Sequence, residues 1–222
     1  MCGRFTFYSP DEKLEKRFHA KIMEPLFRHY NAAPAQKLPI ITNDKPDYIR
    51  LGLWGLVPAW MAKKKDTRVT GFINARSESV SLKPAFRNAF KKHRCLVLAD
   101  SFFEWNKETK QPFRILLSNE EPFAFGGIWE YFKTKNGRLI PSFSIITTPA
   151  NELITPIHLR MPLILNRQDE QLWLDNQTKE LSLFKLLRPY PADQMIAFPI
   201  SPLVNSFNND VPEVIEPLKT LV

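Results

Sequence analysis

Short apolar runs broken by turn residues dominate the chain. Arg94 to Ala99, Pro112 to Leu117, Pro122 to Gly127 and Ser142 to Thr147 are rich in Phe, Ile, Leu and Val. That composition fits a pleated, half-buried or buried surface, and each run predicts a strand. Leu38 to Thr42 and Tyr48 to Trp54 flank the turn residues Asn43-Asp44-Lys45-Pro46 and predict a hairpin. Further strands are expected at Cys2, from Leu163 to Leu165 and from Gln194 to Phe198. Ser9-Pro10-Asp11-Glu12 reads as a helix start, with Ser9 as N-cap, Pro10 at the first helical position and Glu12 closing a capping box. Leu14 and Phe18 then share one helix face. Other short helices are expected near Pro84 to Phe90, Asn151 to Ile157, Gln168 to Leu174 and Lys179 to Leu187. Tyr30-Asn31-Ala32-Ala33-Pro34 reads as a loop, because proline biases its predecessor away from helix and asparagine favours turns. Glu104, amid Phe102, Phe103 and Trp105, falls just past a strand end.

Many short strands with scattered helices, 19 prolines and only 7 glycines do not fit βαβ alternation. The expectation is an α+β fold, one domain over residues 1–222, with a largely antiparallel, curved or barrel-like sheet and peripheral short helices. At 222 residues and 44% hydrophobic the chain suffices for one well-formed core. No signal peptide is visible and no apolar run approaches the roughly 18 residues of a membrane span, so a cytoplasmic protein is expected, with no membrane partner. Cys2 and Cys95 allow at most one bridge and form no metal-type pair, and no phosphate-cradling glycine loop is present. Neither a metal nor another cofactor is expected. Cys95, inside Cys95-Leu96-Val97-Leu98, reads as a buried strand residue.

Charge changes the picture. The segment from Trp60 to Arg94 holds ten basic residues against Asp66 and Glu78, an excess that equals the net charge of +8 of the whole chain. A polyanion would be held there, with a salt-dependent affinity.

Candidate chemistry begins at Met1-Cys2-Gly3-Arg4-Phe5. Cysteine is small enough for Met1 to be removed, which leaves an α-amine and a thiol on one residue. The amine, with a pKa of about 7.7–8.0, is far less protonated at neutral pH than a lysine at about 10.4. An aldehyde can condense with that amine as a Schiff base and be trapped by the thiol as a five-membered thiazolidine. Three polar residues occupy settings where a polar group needs a reason: Asn74 after Phe72-Ile73, Glu104 among aromatics that would raise its pKa, and His158 between Pro156-Ile157 and Leu159-Arg160-Met161-Pro162.

Six segments carry a family resemblance: Met1 to Phe5, Tyr30 to Pro34, Trp54-Gly55-Leu56-Val57-Pro58-Ala59-Trp60, Ile73-Asn74-Ala75-Arg76-Ser77-Glu78, Arg94 to Trp105, and His158 to Pro162. In this order they resemble the SRAP family, the SOS-response-associated peptidase or abasic-site processing proteins, from Cys2 to about Pro212. The resemblance implies capture of abasic sites in single-stranded DNA, the ring-opened deoxyribose aldehyde being linked to the N-terminal cysteine as a thiazolidine. It makes Cys2 the nucleophile and gives Asn74 the placing of its amine and the opened sugar. Glu104 would shuttle protons and assist autocatalytic removal of Met1, and His158 would protonate the sugar oxygen. Arg4, Arg76 and Arg160 would face phosphates, Trp60 would stack on an unpaired base, and Pro34 corresponds to a wedge near a single-strand/double-strand junction such as a replication fork. The protein would act as a monomer. Leu98 and Ser101 depart from the family pattern, where proline and glycine are frequent. Without the resemblance, the same residues also fit a peptidase acting beyond Met1, or a passive single-stranded DNA binder.

Overall fold

The computed structural model describes residues 2–58, 61, 71–134 and 137–218. In chain order the described residues form β1 (Phe5–Phe7), α1 (Asp11–Phe18), β2 (Lys21–Ile22), β3 (His29–Ala32), β4 (Lys37–Thr42), β5 (Lys45–Trp54), β6 (Asn74–Arg76) and α2 (Arg87–Lys92). There follow β7 (Arg94–Ala99), β8 (Ser101–Trp105), β9 (Pro112–Leu117), β10 (Phe123–Lys133), β11 (Leu139–Pro149), β12 (Arg160–Pro162), β13 (Ile164–Leu165), α3 (Arg167–Leu174), α4 (Glu180–Leu186) and β14 (Met195–Pro199). Short 3-10 turns at Pro202–Asn205 and Pro212–Ile215 lie in the C-terminal segment.

Two sheets organise these strands. In the larger, β4 pairs with β5 and β7, β7 with β10, β10 with β11, and β11 with β5, so five strands close into a ring. Only the closing β5–β11 contact in that ring is parallel. The smaller sheet has the order β14-β9-β8-β1-β3 and is antiparallel throughout. Aromatic rings join the two: Phe5 of β1 lies 5.0 Å from Trp54 of β5 and 5.6 Å from Phe125 of β10, and Phe102 of β8 lies 6.0 Å from Phe125. Burying such side chains contributes roughly 1.5–3 kcal/mol each. The residue three positions after Cys2 is thereby anchored in the core, and Cys2 itself is fully buried.

The hairpin of β4 and β5 and the strands β7 and β9 match the apolar runs that predict them, and Cys95 is a buried strand residue. Five expectations need correction. The first strand begins at Phe5 and leaves Cys2 outside it. Ser9 does not cap α1; its amide and hydroxyl are taken by the Asp100 carboxylate, and Pro10 stands at the N-cap. Tyr30 to Ala32 form a strand, not a loop, because β1 supplies the missing ladder partner. Glu104 lies inside β8, because the strand restarts at Ser101 after the turn at Asp100. Asn151 to Ile157 make successive turns, not a helix. Ser101, where the family resemblance anticipates glycine, is buried with its hydroxyl 2.7 Å from that of Thr6 and 3.0 Å from Nε of Arg114.

Gly55 and Gly71 pinch the base of the segment between them. Leu56 and Phe72 exchange backbone hydrogen bonds of 3.0 and 2.9 Å, and a Cβ on Gly71 would stand 2.1 Å from the Gly55 carbonyl oxygen. The chain passes approach that closely because Gly71 carries no side chain, and Gly55 adopts a φ of +135° that other residues rarely take.

Candidate active site

Cys2 sits where β1, β6 and β8 meet. The β1–β8 ladder pairs Phe5 with Phe102 and continues outward through the Phe103 amide, which donates to the Arg4 carbonyl at 3.0 Å. This register carries the chain start alongside Glu104. From the other side β6, parallel to β11 with Asn74 opposite Ile145, presents Asn74, whose Nδ2 donates to the Cys2 carbonyl at 2.8 Å. The Asn74 Oδ1 is buried and has no hydrogen-bond partner among the described residues.

The fourth residue arrives through a separate tie. Asn106, just past β8, donates from Nδ2 to the Pro156 carbonyl at 3.1 Å, fastening the end of the Glu104 strand to the turn before His158. The His158 Nδ1 lies 3.0 Å from both the amide nitrogen and the carbonyl oxygen of Arg160, which sets the ring orientation. Asn74 thus holds Cys2, the β1–β8 register sets Glu104 alongside, and the Asn106 tie brings the turn before His158 to the end of the Glu104 strand. Asn106 has no sequence signal for this work beyond its turn-forming type.

Burial dominates the electrostatics. It pushes the Glu104 carboxyl up to about 7, so that this group both holds and releases a proton near neutrality. It also drives the Cys2 thiol well above its ordinary value, and the charge of Glu104 adds to that effect. The thiol is therefore protonated at neutral pH in this environment. His158 is lowered by burial, with Lys107 and Arg160 adding to the shift and a backbone hydrogen bond to Arg160 opposing it.

The arginines sort by partner. Arg4 donates from Nη1 to Asn31 Oδ1 and the Val204 carbonyl, both at 2.8 Å, and from Nη2 to the Asn205 carbonyl at 3.1 Å. Arg160 is held in a fork by the Glu78 carboxylate and donates to the Thr147 carbonyl at 2.5 Å. Arg76, at the end of β6, is exposed. Arg94 is withdrawn from the basic segment altogether: it is 1% exposed and donates to the carbonyls of Phe90, Lys91, Trp173 and Asp175. Pro34 lies half-buried in the turn between β3 and β4, whose next residue, Ala35, donates to the Trp54 carbonyl at 2.8 Å. Trp60, Lys63, Lys64, Lys65 and Arg68 lie outside the described residues. Among the described residues no cluster of His, Cys, Asp and Glu is arranged to hold a metal ion, and no helix is long and apolar enough to cross a membrane.

One group was not legible in the sequence. Asp210 accepts from the backbone amides of Tyr30 and Asn31 at 2.5 and 2.8 Å and lies 2.7 Å from Nδ1 of His29. Asn31, fully buried, donates from Nδ2 to the carbonyls of Val204, Ser206 and Asn209. Together they latch the C-terminal segment onto β3, beside Arg4.

A closed strand ring with a flanking antiparallel sheet, enclosing a second-position cysteine beside an amide and a near-neutral carboxyl, defines an α+β domain built around its own N-terminus. The sequence model of the SOS response associated peptidase (SRAP) family matches residues 1–207, and the chain belongs to that family. It is 42% identical over 227 residues to the abasic site processing protein YoqW of Bacillus subtilis strain 168, spanning 97% of this chain and 99% of that one. It is 27% identical to the abasic site processing protein HMCES of Rattus norvegicus, over 100% of this chain and 77% of that protein. A solved structure of a Bacteroides thetaiotaomicron protein superposes with a TM-score of 0.89 at 27% identity, covering 97% and 99% of the two chains.

Proposed function

We propose that this protein processes abasic sites in DNA by capturing the ring-opened sugar on Cys2 in single-stranded DNA. The observation that carries the reading is the Asn74 amide, which holds the Cys2 carbonyl at 2.8 Å while its own Oδ1 has no partner among the described residues. That oxygen is available to accept from the Cys2 α-amine and direct its lone pair. The names of the relatives point to the same substrate.

Met1 must leave first, because only a free α-amine condenses with an aldehyde. The amine then adds to C1′ of the opened deoxyribose and water departs, leaving an imine. The Cys2 thiol, kept protonated by burial, adds across the C=N bond: sulfur bonds to C1′ and the proton passes to nitrogen. Glu104, near neutrality, is suited to relay that proton, and His158 to supply one to the sugar oxygen as the ring opens. A thiol held protonated is a poor fit to a thiolate-type peptidase nucleophile, which favours the DNA reading over peptide turnover. DNA would be held by Arg76, by Arg160 where phosphate replaces its present partners, and by Pro34 and Trp60 near a junction, while Arg4 keeps its loop partners.

Mixing the protein with an abasic single-stranded oligonucleotide, without reductant, is expected to yield an SDS-resistant adduct at the summed mass less water. Cys2→Ala is expected to yield none. Absence of the adduct from the wild-type protein would overturn the reading.

A further inference from the structure

We propose that Phe207 is the stacking platform for a nucleobase flanking the captured abasic residue, and that Arg4 positions it; the inference rests on the abasic-site reading above. Phe207 is 60% exposed although its neighbouring backbone is firmly tied. On one side the Val204 and Asn205 carbonyls receive the Arg4 guanidinium, and Asn205 Oδ1 accepts from the Trp105 indole at 2.7 Å. On the other, the Ser206 and Asn209 carbonyls each accept from Asn31 at 2.9 Å, and Asn209 itself donates to the Leu203 carbonyl at 2.8 Å. The loop is thus built rigidly while its one aromatic ring faces outward.

The place of that ring relates it to the reaction. The Arg4 guanidinium lies 6.0 Å from the Phe207 ring centroid, within cation–π range. Arg4 is two residues from Cys2, so their Cα atoms lie within about 7 Å. Trp105, which grips the same loop, directly follows Glu104. Loop and nucleophile are therefore joined through Arg4, on the segment leading into β1, and through Trp105 of β8.

An abasic nucleotide has no base, so the base beside it has lost one stacking neighbour and offers a bare π-face. A fixed aromatic side chain can cover that face, and phenylalanine does so without reading hydrogen-bonding groups, which makes the contact tolerant of sequence. Arg4 spends its donors on loop carbonyls and acts here as a positioning residue.

The test places 2-aminopurine immediately 5′ or 3′ of the abasic site and follows its fluorescence as the full-length protein forms the adduct. Quenching is expected on one side for wild type, to be lost in Phe207→Ala and restored in Phe207→Tyr. Affinity of Phe207→Ala for the lesion strand should fall by about 5- to 150-fold, the range of one base–aromatic stack. The two proteins should bind equally when the flanking positions are abasic too. Leu181→Ala, at a still more exposed apolar residue on α4, should leave the signal as in wild type. Adduct formation with no quenching on either side, or with quenching retained in Phe207→Ala, would overturn this inference and leave abasic-site capture standing. Failure of the wild-type protein to form any adduct would overturn both.

Discussion

Glu104 is the residue whose environment most directly shapes the chemistry. Its folded-state pKa of about 7 lies above that of an exposed carboxyl because burial disfavours the charged form. The sign of the linkage follows: the folded protein binds the extra proton, so its stabilising effect is complete below the unfolded pKa and is lost as pH rises through about 7. Glu104→Gln removes the need to bury a charge. Thermal unfolding should therefore show Glu104→Gln more stable than wild type at pH 8, by on the order of 3 kcal/mol, with the gap closing toward pH 4. The same substitution should slow adduct formation and flatten its rise with pH near neutrality. Equal stability of the two proteins at pH 8 would show that the carboxyl is not held in an apolar setting. Aromatic neighbours in the sequence already marked Glu104 for such a shift; its place inside β8, next to the chain start, came from the β1–β8 register.

At the scale of elements, the site depends on a latch between β3 and the C-terminal segment. Each half is paired in the fold: β3 takes β1 as its ladder partner, and Asn31 and Arg4 occupy carbonyls of the irregular segment from Val204 to Asp210. Asp210→Asn removes charge-assisted acceptance from two amides and the pairing with His29. Urea unfolding should register a loss of roughly 1.5–3 kcal/mol, and adduct formation should weaken as the loop beside Arg4 loosens. A variant with unchanged midpoint and adduct yield would count against the latch. Local pattern misread Tyr30 to Ala32 as loop for a plain reason: asparagine and proline dominate the short-range signal, while the strand partner lies about 25 residues away in the chain.

Across the whole molecule, the basic segment is only partly a surface. Arg94 spends its charge on four backbone carbonyls in the interior, whereas Arg76 is exposed at the end of a strand that also carries Asn74. The plot of log affinity for single-stranded DNA against log salt should therefore lose about 0.7 in slope for Arg76→Ala, one phosphate contact. An unchanged slope would place the DNA elsewhere.

The sequence by itself determined the strand-rich α+β character, the β4–β5 hairpin, the burial of Cys95 and the candidates Cys2, Asn74, Glu104 and His158, because apolar periodicity and residue chemistry are local properties. Only the tertiary structure decided that β5 closes a ring against β11, that Asn74 grips Cys2, and that Asp210 and Asn31 fasten the tail beside Arg4. Those contacts join residues far apart in the chain, and their energy comes from mutual burial and paired polar groups that no single segment carries.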